Sequence, residues 1–418
     1  MKQSVTVIGA GLVGLCTALY LQNLGFDVTV VDPGDKKRAA SFGNAGQFAS
    51  SEIVPLAVPD ILYKLPGWML NPQGPLTLRP SYLPIALPWL LRLLSASRLE
   101  NVLCITQARS ELCVAMEADY KPLLDIASAS DLVSETHHLR LYESQDKWDK
   151  DSVEWSLRRQ HGLTFRELGR VDIAALDPGV SERYKFAICS PSRRFVRNPG
   201  QLMDRFLNQL VRNGAEIVRA SVTGFDLGPS QVRGLRLSTG KLLPTEKVVI
   251  AAGAWSHRLT KMLGDRVPLE TERGYHIMVP GAETLLRGIA IDASKGIAIV
   301  PMDEGLRITG SVEFAGLDAP PDPRQANRLL DAAAGVLPEL AGYRKNALPL
   351  WLGHRPTLPD SLPIIDRARS FGNTYYAFGH NHMGLSWAGT TARLISELIT
   401  EVPPSLDLSP FRTSRFFT

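Results

Sequence analysis

Ser4-Val-Thr-Val-Ile8 runs directly into Gly9-Ala-Gly-Leu-Val-Gly14, and Phe26-Asp-Val-Thr-Val-Val31 follows with Asp32 at its end. The first run is short, apolar and β-branched, the pattern of a buried parallel strand. A helix is predicted from the glycines to about Asn23, with Leu15, Ala18, Leu19 and Leu21 as its apolar positions and Gly25 as its stop. Strand, glycine turn, helix, strand and acid in that order predict a Rossmann-like unit that binds the ADP half of a dinucleotide. Gly9 permits the tight turn, Gly11 lets backbone approach a pyrophosphate, and Gly14 lets helix and strand pack closely. Ala10, Leu12 and Val13 complete the turn, whose free N–H groups and helix dipole face the phosphates. Asp32 is placed to accept hydrogen bonds from the adenosine ribose. An acid there serves NAD and FAD alike.

Two distant segments point to FAD. Glu246-Lys-Val-Val-Ile-Ala-Ala-Gly-Ala-Trp255 predicts a buried strand that ends in small residues, with Gly253 open to close approach. Asn373 to Ser386 predicts a strand, a turn at Gly379, and the start of a helix that continues to about Ile399. A helix start stabilises the negative charge that develops at the N1/C2=O edge of a reduced flavin. Met383, Gly384, Leu385 and Ser386 are the candidate contacts there. Plain α/β strands without a cofactor role would show the same pattern.

The 418 residues suggest two to three domains at roughly 100–200 residues each. At 44% hydrophobic and 21% charged, the composition is that of a globular protein with ample core. The net charge of +4 is spread along the chain without a long basic run, so no nucleic-acid partner is expected. Cys16, Cys104, Cys113 and Cys189 form no CxxC pair. They read as buried, reduced thiols of a cytoplasmic protein. No metal-ligand cluster stands out. The start lacks a basic n-region and a cleavage site, and no run of 18 apolar residues occurs. No leader and no membrane-spanning helix is predicted.

Further motifs stand in order along nearly the whole chain: VIGAGLVGLCTALYL at 7–21, SFGNAGQ at 41–47, AAGAW at 251–255, LGHRPTLPDSLPIID at 352–366 and GHNHMGLSWAGTTARLISELI at 379–399. Together they resemble the FAD-dependent D-amino-acid oxidase superfamily, and within it the bacterial D-amino-acid dehydrogenase branch. The resemblance implies an α/β protein. It has a Rossmann-like FAD-binding domain of the glutathione-reductase type and a second α+β substrate domain built on an antiparallel sheet. It also implies bound FAD and an amino-acid substrate.

Residue by residue, the resemblance implies the following roles. Ser41-Phe-Gly-Asn-Ala-Gly-Gln47 resembles the segment that runs beneath the flavin. Ser41, Asn44, Ala45, Gly46 and Gln47 are candidate contacts, with the amides of Asn44 or Gln47 available to ring heteroatoms. A surface turn would read the same. Val222 matches the place where backbone meets adenine. Arg355, in Gly353-His-Arg-Pro356, matches the arginine that binds the substrate carboxylate, a task suited to a planar guanidinium fork. A structural ion pair is its alternative. His354, the strand neighbour of Arg355, points the other way. Tyr275 and His276 either line the pocket or pack. His380 and His382 flank the flavin-side turn, where His382 reaches the ring or the substrate, or is structural. In some relatives a tyrosine just before the strand Ile299-Val-Pro301 helps hold the carboxylate. Here Gly296, Ile297 and Ala298 stand there, so Arg355 needs another partner and the specificity of those relatives does not transfer.

The FAD domain is expected to be discontinuous, comprising 1–54, 152–265 and 350–418, with 55–151 and 266–349 forming the substrate domain. A capped amphipathic helix is predicted over 197–214, followed by a strand from Glu216. Gly296–Pro301 and Leu306–Ser311 read as strands, and Pro323–Val336 as a helix. Residues 55–96 carry Pro55, Pro59, Pro66, Pro72, Pro75, Pro80, Pro84 and Pro88, with Trp68, Trp89 and many leucines between them. The prolines prevent one long helix. The apolar piece Leu83–Leu94, with Arg92 and Arg98 beside it, is either a packing or oligomer surface or a monotopic membrane contact that hands electrons to a quinone. The second reading places the protein at the cytoplasmic face of the inner membrane.

The implied chemistry is hydride transfer from substrate Cα to flavin N5. It gives an imine that water hydrolyses to a 2-oxo acid and ammonia, or a ring imine if the substrate is D-proline or cis-4-hydroxy-D-proline. The cofactor carries the redox step while the protein orients and desolvates. The acceptor is a quinone or another carrier. Alternatives are an O2-using oxidase of the glycine or sarcosine oxidase kind, or a flavin subunit of a larger electron-transfer complex. The D configuration rests on the resemblance alone.

Overall fold

Val5, Val7, Val28 and Val30 are almost wholly buried. Strands of that kind belong in the middle of a sheet covered on both faces. In the computed structural model, which describes residues 2–59 and 76–417, Ser4–Ile8 pairs in parallel with Asp27–Asp32 on one side and Lys247–Ile250 on the other. Glu216–Arg219 extends the sheet beyond Asp27–Asp32, and Thr374–Phe378 extends it beyond Lys247–Ile250. Ile364–Arg367 closes it as an antiparallel edge. The first helix spans Leu12–Asn23 and packs against the last long helix, Gly384–Thr400. Both ends of the chain therefore build one layered unit. A small antiparallel sheet of Val222–Leu227, Val232–Leu237 and Leu242–Pro244 accompanies it. The helix predicted over 197–214 spans Pro199–Arg212, where the Asn198 side chain caps it by accepting the Gln201 N–H at 3.0 Å.

Among the described residues the second sheet has nine strands. Its path runs Trp351–Thr357, Glu270–Val279, Gly305–Phe314, Ile297–Met302, Ile289–Asp292, Val133–Tyr142, Phe186–Val196 and Arg166–Gly169, with Leu76–Leu78 added beside Gly305–Phe314. The helix Arg324–Val336 covers one face, where Leu329, Leu330, Ala333 and Val336 share a core with Tyr275, Ile277 and Ile308. The other face turns toward the loop 41–48. There Ala45 packs on Phe195, Met278, Val300 and Met302, and the Val196 N–H donates to the Gly46 carbonyl at 2.7 Å.

Strand pairing redraws the expected border between the two units. Arg166–Gly169, Phe186–Val196 and Trp351–Thr357 fall in the expected FAD domain, yet all three pair within the large sheet. A short β-run alternates the same way in either sheet, so only its tertiary partner assigns it. Cys104 also departs from expectation: it is exposed, while Cys16, Cys113 and Cys189 are buried free thiols.

Of the proline-rich stretch, the described part forms a helix at Leu83–Ala96, with Pro84 in its first turn and Pro88 inside. Pro66, Trp68, Pro72 and Pro75 lie outside the described residues. Among the described residues no helix is long and apolar enough to cross a membrane.

Candidate active site

The turn after the first strand is set by close contact. Gly9 has φ +111°, and a Cβ on Gly14 would lie 1.9 Å from the Gly9 carbonyl oxygen. Any side chain at Gly14 must push backbone aside. A Cβ on Gly11, by contrast, would meet nothing nearer than the Ser41 hydroxyl at 3.4 Å. That opening adjoins the start of the helix Leu12–Asn23, which no side chain caps, and it fits a phosphate group. Ala10, Gly11 and Val13 are half-exposed there, while Leu12 and Gly14 are buried. The Leu12 N–H donates to the Ser41 hydroxyl at 3.0 Å, which ties the turn to the next loop.

Asp32 joins the same end of the sheet. Its Oδ2 accepts the Ala10 N–H at 2.9 Å and its Oδ1 the Gly34 N–H at 2.7 Å. Each oxygen keeps a second lone pair for a ribose hydroxyl. The Ala220 N–H donates to the Asp32 carbonyl, two residues before Val222 begins its strand. Gly253 opens a short 3₁₀ turn two residues after Ala251, whose N–H donates to the Ile8 carbonyl. These residues fit the ADP half of a dinucleotide.

The segment Ser41–Gln47 is anchored from three sides. His276 Nδ1 donates to the Gly43 carbonyl at 3.0 Å, and Arg307 Nη1 donates to the Asn44 carbonyl at 2.5 Å. Ser386 staples the third side: its hydroxyl donates to the Gln47 carbonyl at 3.3 Å and accepts the Ala49 N–H at 3.0 Å. The start of the last helix is thereby set against the loop. Two expectations change as a result. The Asn44 amide is not offered outward, because its Nδ2 donates to the Ser41 carbonyl and its Oδ1 accepts the Gly46 N–H. It holds the loop in shape, as short amide side chains do in turns. The Ser386 hydroxyl is engaged by the protein, and Met383 and Leu385 are buried in the core. What this helix start can offer a flavin is backbone around Met383 and Gly384.

Arg355 pairs across the ladder with Glu272, Gly353 with Gly274, and Trp351 with His276. Paired residues share a face and strand neighbours alternate. Arg355, Gly274, His276 and Arg307 therefore share the face turned to Ser41–Gln47. Tyr275 lies on the opposite face, which corrects its candidacy for the site. Its hydroxyl donates to Glu313 at 2.5 Å, and the Asp322 N–H donates to it at 3.1 Å. His354 shares that far face and bonds the Thr271 hydroxyl.

The Arg355 guanidinium lies over Gly274, where a Cβ would be 2.5 Å from its Cζ. Among the described residues no protein group hydrogen-bonds this guanidinium, and its only counter-charge is Glu272. Burial lowers the pKa of Arg355 and raises that of Glu272. A half-buried guanidinium with unused donors suits a carboxylate. Trp351 closes one end of this face, stacked on His276 with centroids 4.6 Å apart and donating from Nε1 to the Lys37 carbonyl.

The His382 side chain is exposed, and the charges of Arg109, Glu52 and Arg355 act on it. Desolvation, then the charge of Arg109, holds its pKa down to about 4, so the ring is neutral at physiological pH. Burial acts to raise the Glu52 pKa, but Arg158 and Arg140 outweigh it and bring it to about 2. Gln47, Phe48, Glu52, His138, Arg193 and Ile289 line a small recess. Arg109 is fully buried and donates to the carbonyls of Ile53, Ser361 and Glu52. His380 is structural: it is buried and bonded to the Thr391 hydroxyl at 2.8 Å.

Arg307, Glu272, Trp351 and Glu52 escape sequence reasoning. Arg307 alone carries a legible mark, a charge inside an apolar strand.

Comparison with known proteins places the chain as a whole. Residues 4–398 match the family described as FAD dependent oxidoreductase, DAO. Over 416 residues the chain is 36% identical to a D-amino-acid oxidase of Bradyrhizobium diazoefficiens, covering 99% of this chain and 98% of that protein. It is 27% identical to a D-amino acid dehydrogenase of the same organism, again covering 99% and 98%. Among solved structures, glycine oxidase from Geobacillus kaustophilus aligns with a TM-score of 0.77 at 20% identity, covering 99% of both chains. At that identity the likeness speaks to fold alone.

Proposed function

The chain belongs to the DAO family of FAD-dependent oxidoreductases, and from that premise we propose that it oxidatively deaminates a D-amino acid whose carboxylate docks on Arg355. The observation that carries this reading is the Arg355 guanidinium itself. It sits over Gly274, free of hydrogen bonds from the described residues, on the face turned to Ser41–Gln47.

FAD supplies, when bound, the two-electron acceptor for hydride leaving the substrate Cα. Gly9 to Gly14, Asp32 and Val222 would hold its ADP half. Backbone at Gly46, Gln47, Gly253, Gly379, Met383 and Gly384 would meet the flavin. We read the parallel-sheet unit as the FAD domain and the nine-stranded sheet as the substrate domain. Arg355 grips the carboxylate with two parallel hydrogen bonds and so fixes where the Cα–H bond points. Neutral His382 accepts a hydrogen bond from the substrate amine. Trp351 and His276 shield the end of the site near Gly43 from water. As the Cα–H bond breaks, the amine lone pair forms C=N, and water then yields the 2-oxo acid and ammonia.

The small recess lined by Gln47, Phe48, Glu52, His138, Arg193 and Ile289 mixes polar and apolar groups. D-proline and cis-4-hydroxy-D-proline therefore both belong among the substrates to try. The test is anaerobic bleaching of the bound flavin against D-, L- and N-methyl amino acids, that hydroxyproline included. Bleaching by D-amino acids is expected, and no bleaching by any amino acid removes the reading.

For the electron acceptor we favour a quinone or other carrier. The helix Leu83–Ala96 leaves Ile85 64% and Leu91 58% exposed, with Arg92 beside them. That surface suits a membrane containing a lipid-soluble quinone. The 36% identical relative named an oxidase supports a second reading, reoxidation by O2. Stoichiometric peroxide under air would favour the oxidase; quinone reduction without peroxide would favour the dehydrogenase.

A further inference from the structure

We propose that Arg307 is a positioning residue whose buried charge favours the reduced, anionic form of the flavin. The inference rests on the reading that the flavin meets the loop Ser41–Gln47. Arg307 lies within the strand Gly305–Phe314, paired with Met278 and Val300, so it shares the sheet face of Arg355. It is only 4% exposed. Its Nη1 donates to the Asn44 carbonyl at 2.5 Å, and its Nε is buried with no partner among the described residues.

Burial lowers the Arg307 pKa to about 10, and the acid that offsets this is Glu304, an exposed residue. Among the described residues Arg307 forms no ion pair. A guanidinium keeps its proton at physiological pH, so the charge stays. A buried cation without a counter-ion and a buried donor without an acceptor both cost stability. Neither is needed to hold the loop, because a neutral donor would satisfy the Asn44 carbonyl equally well. His276, the neighbouring anchor, has a pKa near 3, set first by burial and then by Arg307, and adds no charge.

The chemistry of the site supplies the missing anion. When the substrate Cα–H bond breaks, its proton and both electrons leave together as hydride. That hydride would leave a bound flavin with one added negative charge and the substrate as an iminium cation. A fixed cation in a dry environment favours that ring anion without reorganising.

The test uses wild-type holoenzyme, Arg307→Gln and Arg307→Lys. Bound FAD is checked first by absorbance; a wild type that holds no FAD would sink the functional reading itself. The midpoint potential is then measured against a reference dye. Sulfite affinity is measured by titration, since sulfite adds to N5 and leaves an anionic ring. Gln keeps a donor for Asn44 without the charge, whereas Lys keeps the charge. We expect the Gln variant to be about tenfold harder to reduce, equivalent to about 30 mV for a two-electron couple, and to bind sulfite more weakly. The Lys variant should stay near wild type. A Gln variant that holds FAD with unchanged potential and sulfite affinity overturns the proposal. If the Gln variant loses FAD, Glu304→Gln decides. Removing that exposed acid should raise the potential and tighten sulfite binding, and no change in either measure overturns the proposal.

Discussion

The guanidinium of Arg355 occupies the space that a side chain on Gly274 would need. A Cβ there would lie 2.5 Å from both Cζ and Nη2 of the arginine. The two residues sit on neighbouring strands, Gly274 beside Gly353 and Arg355 opposite Glu272. The bare backbone thus forms the floor on which the arginine rests.

That floor is testable. Gly274→Ala should displace the guanidinium and raise KM for the amino acid by about tenfold, a loss of ~1.4 kcal/mol in binding, with FAD content unchanged. Arg355→Met should cost more, because truncating one partner of a buried charged contact loses ~2–5 kcal/mol. Steady-state kinetics on flavin-replete protein would check both. An unchanged KM in both variants would remove Arg355 from the substrate site.

The two turn glycines should behave differently. Gly14→Ala puts a methyl 1.9 Å from the Gly9 carbonyl and should disrupt the fold itself. Gly11→Ala meets only the Ser41 hydroxyl, at 3.4 Å. It should leave apoprotein melting intact yet weaken FAD by about tenfold or more, ~1.4 kcal/mol upward. Thermal melts and FAD titration of the apoprotein separate the two. A Gly11→Ala protein with wild-type FAD affinity would place the pyrophosphate elsewhere.

Acid should destabilise the protein through its buried imidazoles. His276 and His380 have pKa values near 3, chiefly because burial disfavours their charged forms. Between that value and the ordinary 6.5, the unfolded chain binds the protons and the folded chain does not. Stability therefore rises with pH across this window and is complete above about pH 7. Each such histidine contributes a slope of up to about 1.4 kcal/mol per pH unit. Urea midpoints from pH 7 to pH 4.5 should fall. His380→Gln, which keeps a partner for Thr391, should flatten the fall by about one proton; an unaltered slope would refute this account of His380.

The exposed leucines of Leu83–Ala96 can be tried directly. The wild type should float with anionic vesicles, and Ile85→Ser with Leu91→Ser should not, while anaerobic flavin reduction by substrate stays the same. Wild-type protein that ignores vesicles would make this face a packing surface instead.

Much of the cofactor unit was legible in the chain. The helix Leu12–Asn23 and the strands around it follow from a local rule: strand, glycine turn, helix, strand and acid lie within one short stretch, and each residue's role depends on near neighbours. The Pro199–Arg212 helix was readable for the same reason, from its cap, its apolar stripe and the glycine after it. Arg355 was found through its motif, not through any periodicity.

The sequence by itself determined the strand, glycine turn and helix at its start and the α/β class, while the family resemblance nominated Arg355. Tertiary structure decided which side chains face it. Tyr275 and Gly274 are adjacent in sequence, but strand pairing sends the tyrosine to Glu313 and leaves the glycine beneath Arg355. The same pairing placed Arg307 behind Asn44 and moved Arg166–Gly169, Phe186–Val196 and Trp351–Thr357 into the large sheet. A strand's face has a period of two residues, so register decides inside from outside. Register is a relation between segments distant in sequence, and no single segment carries it.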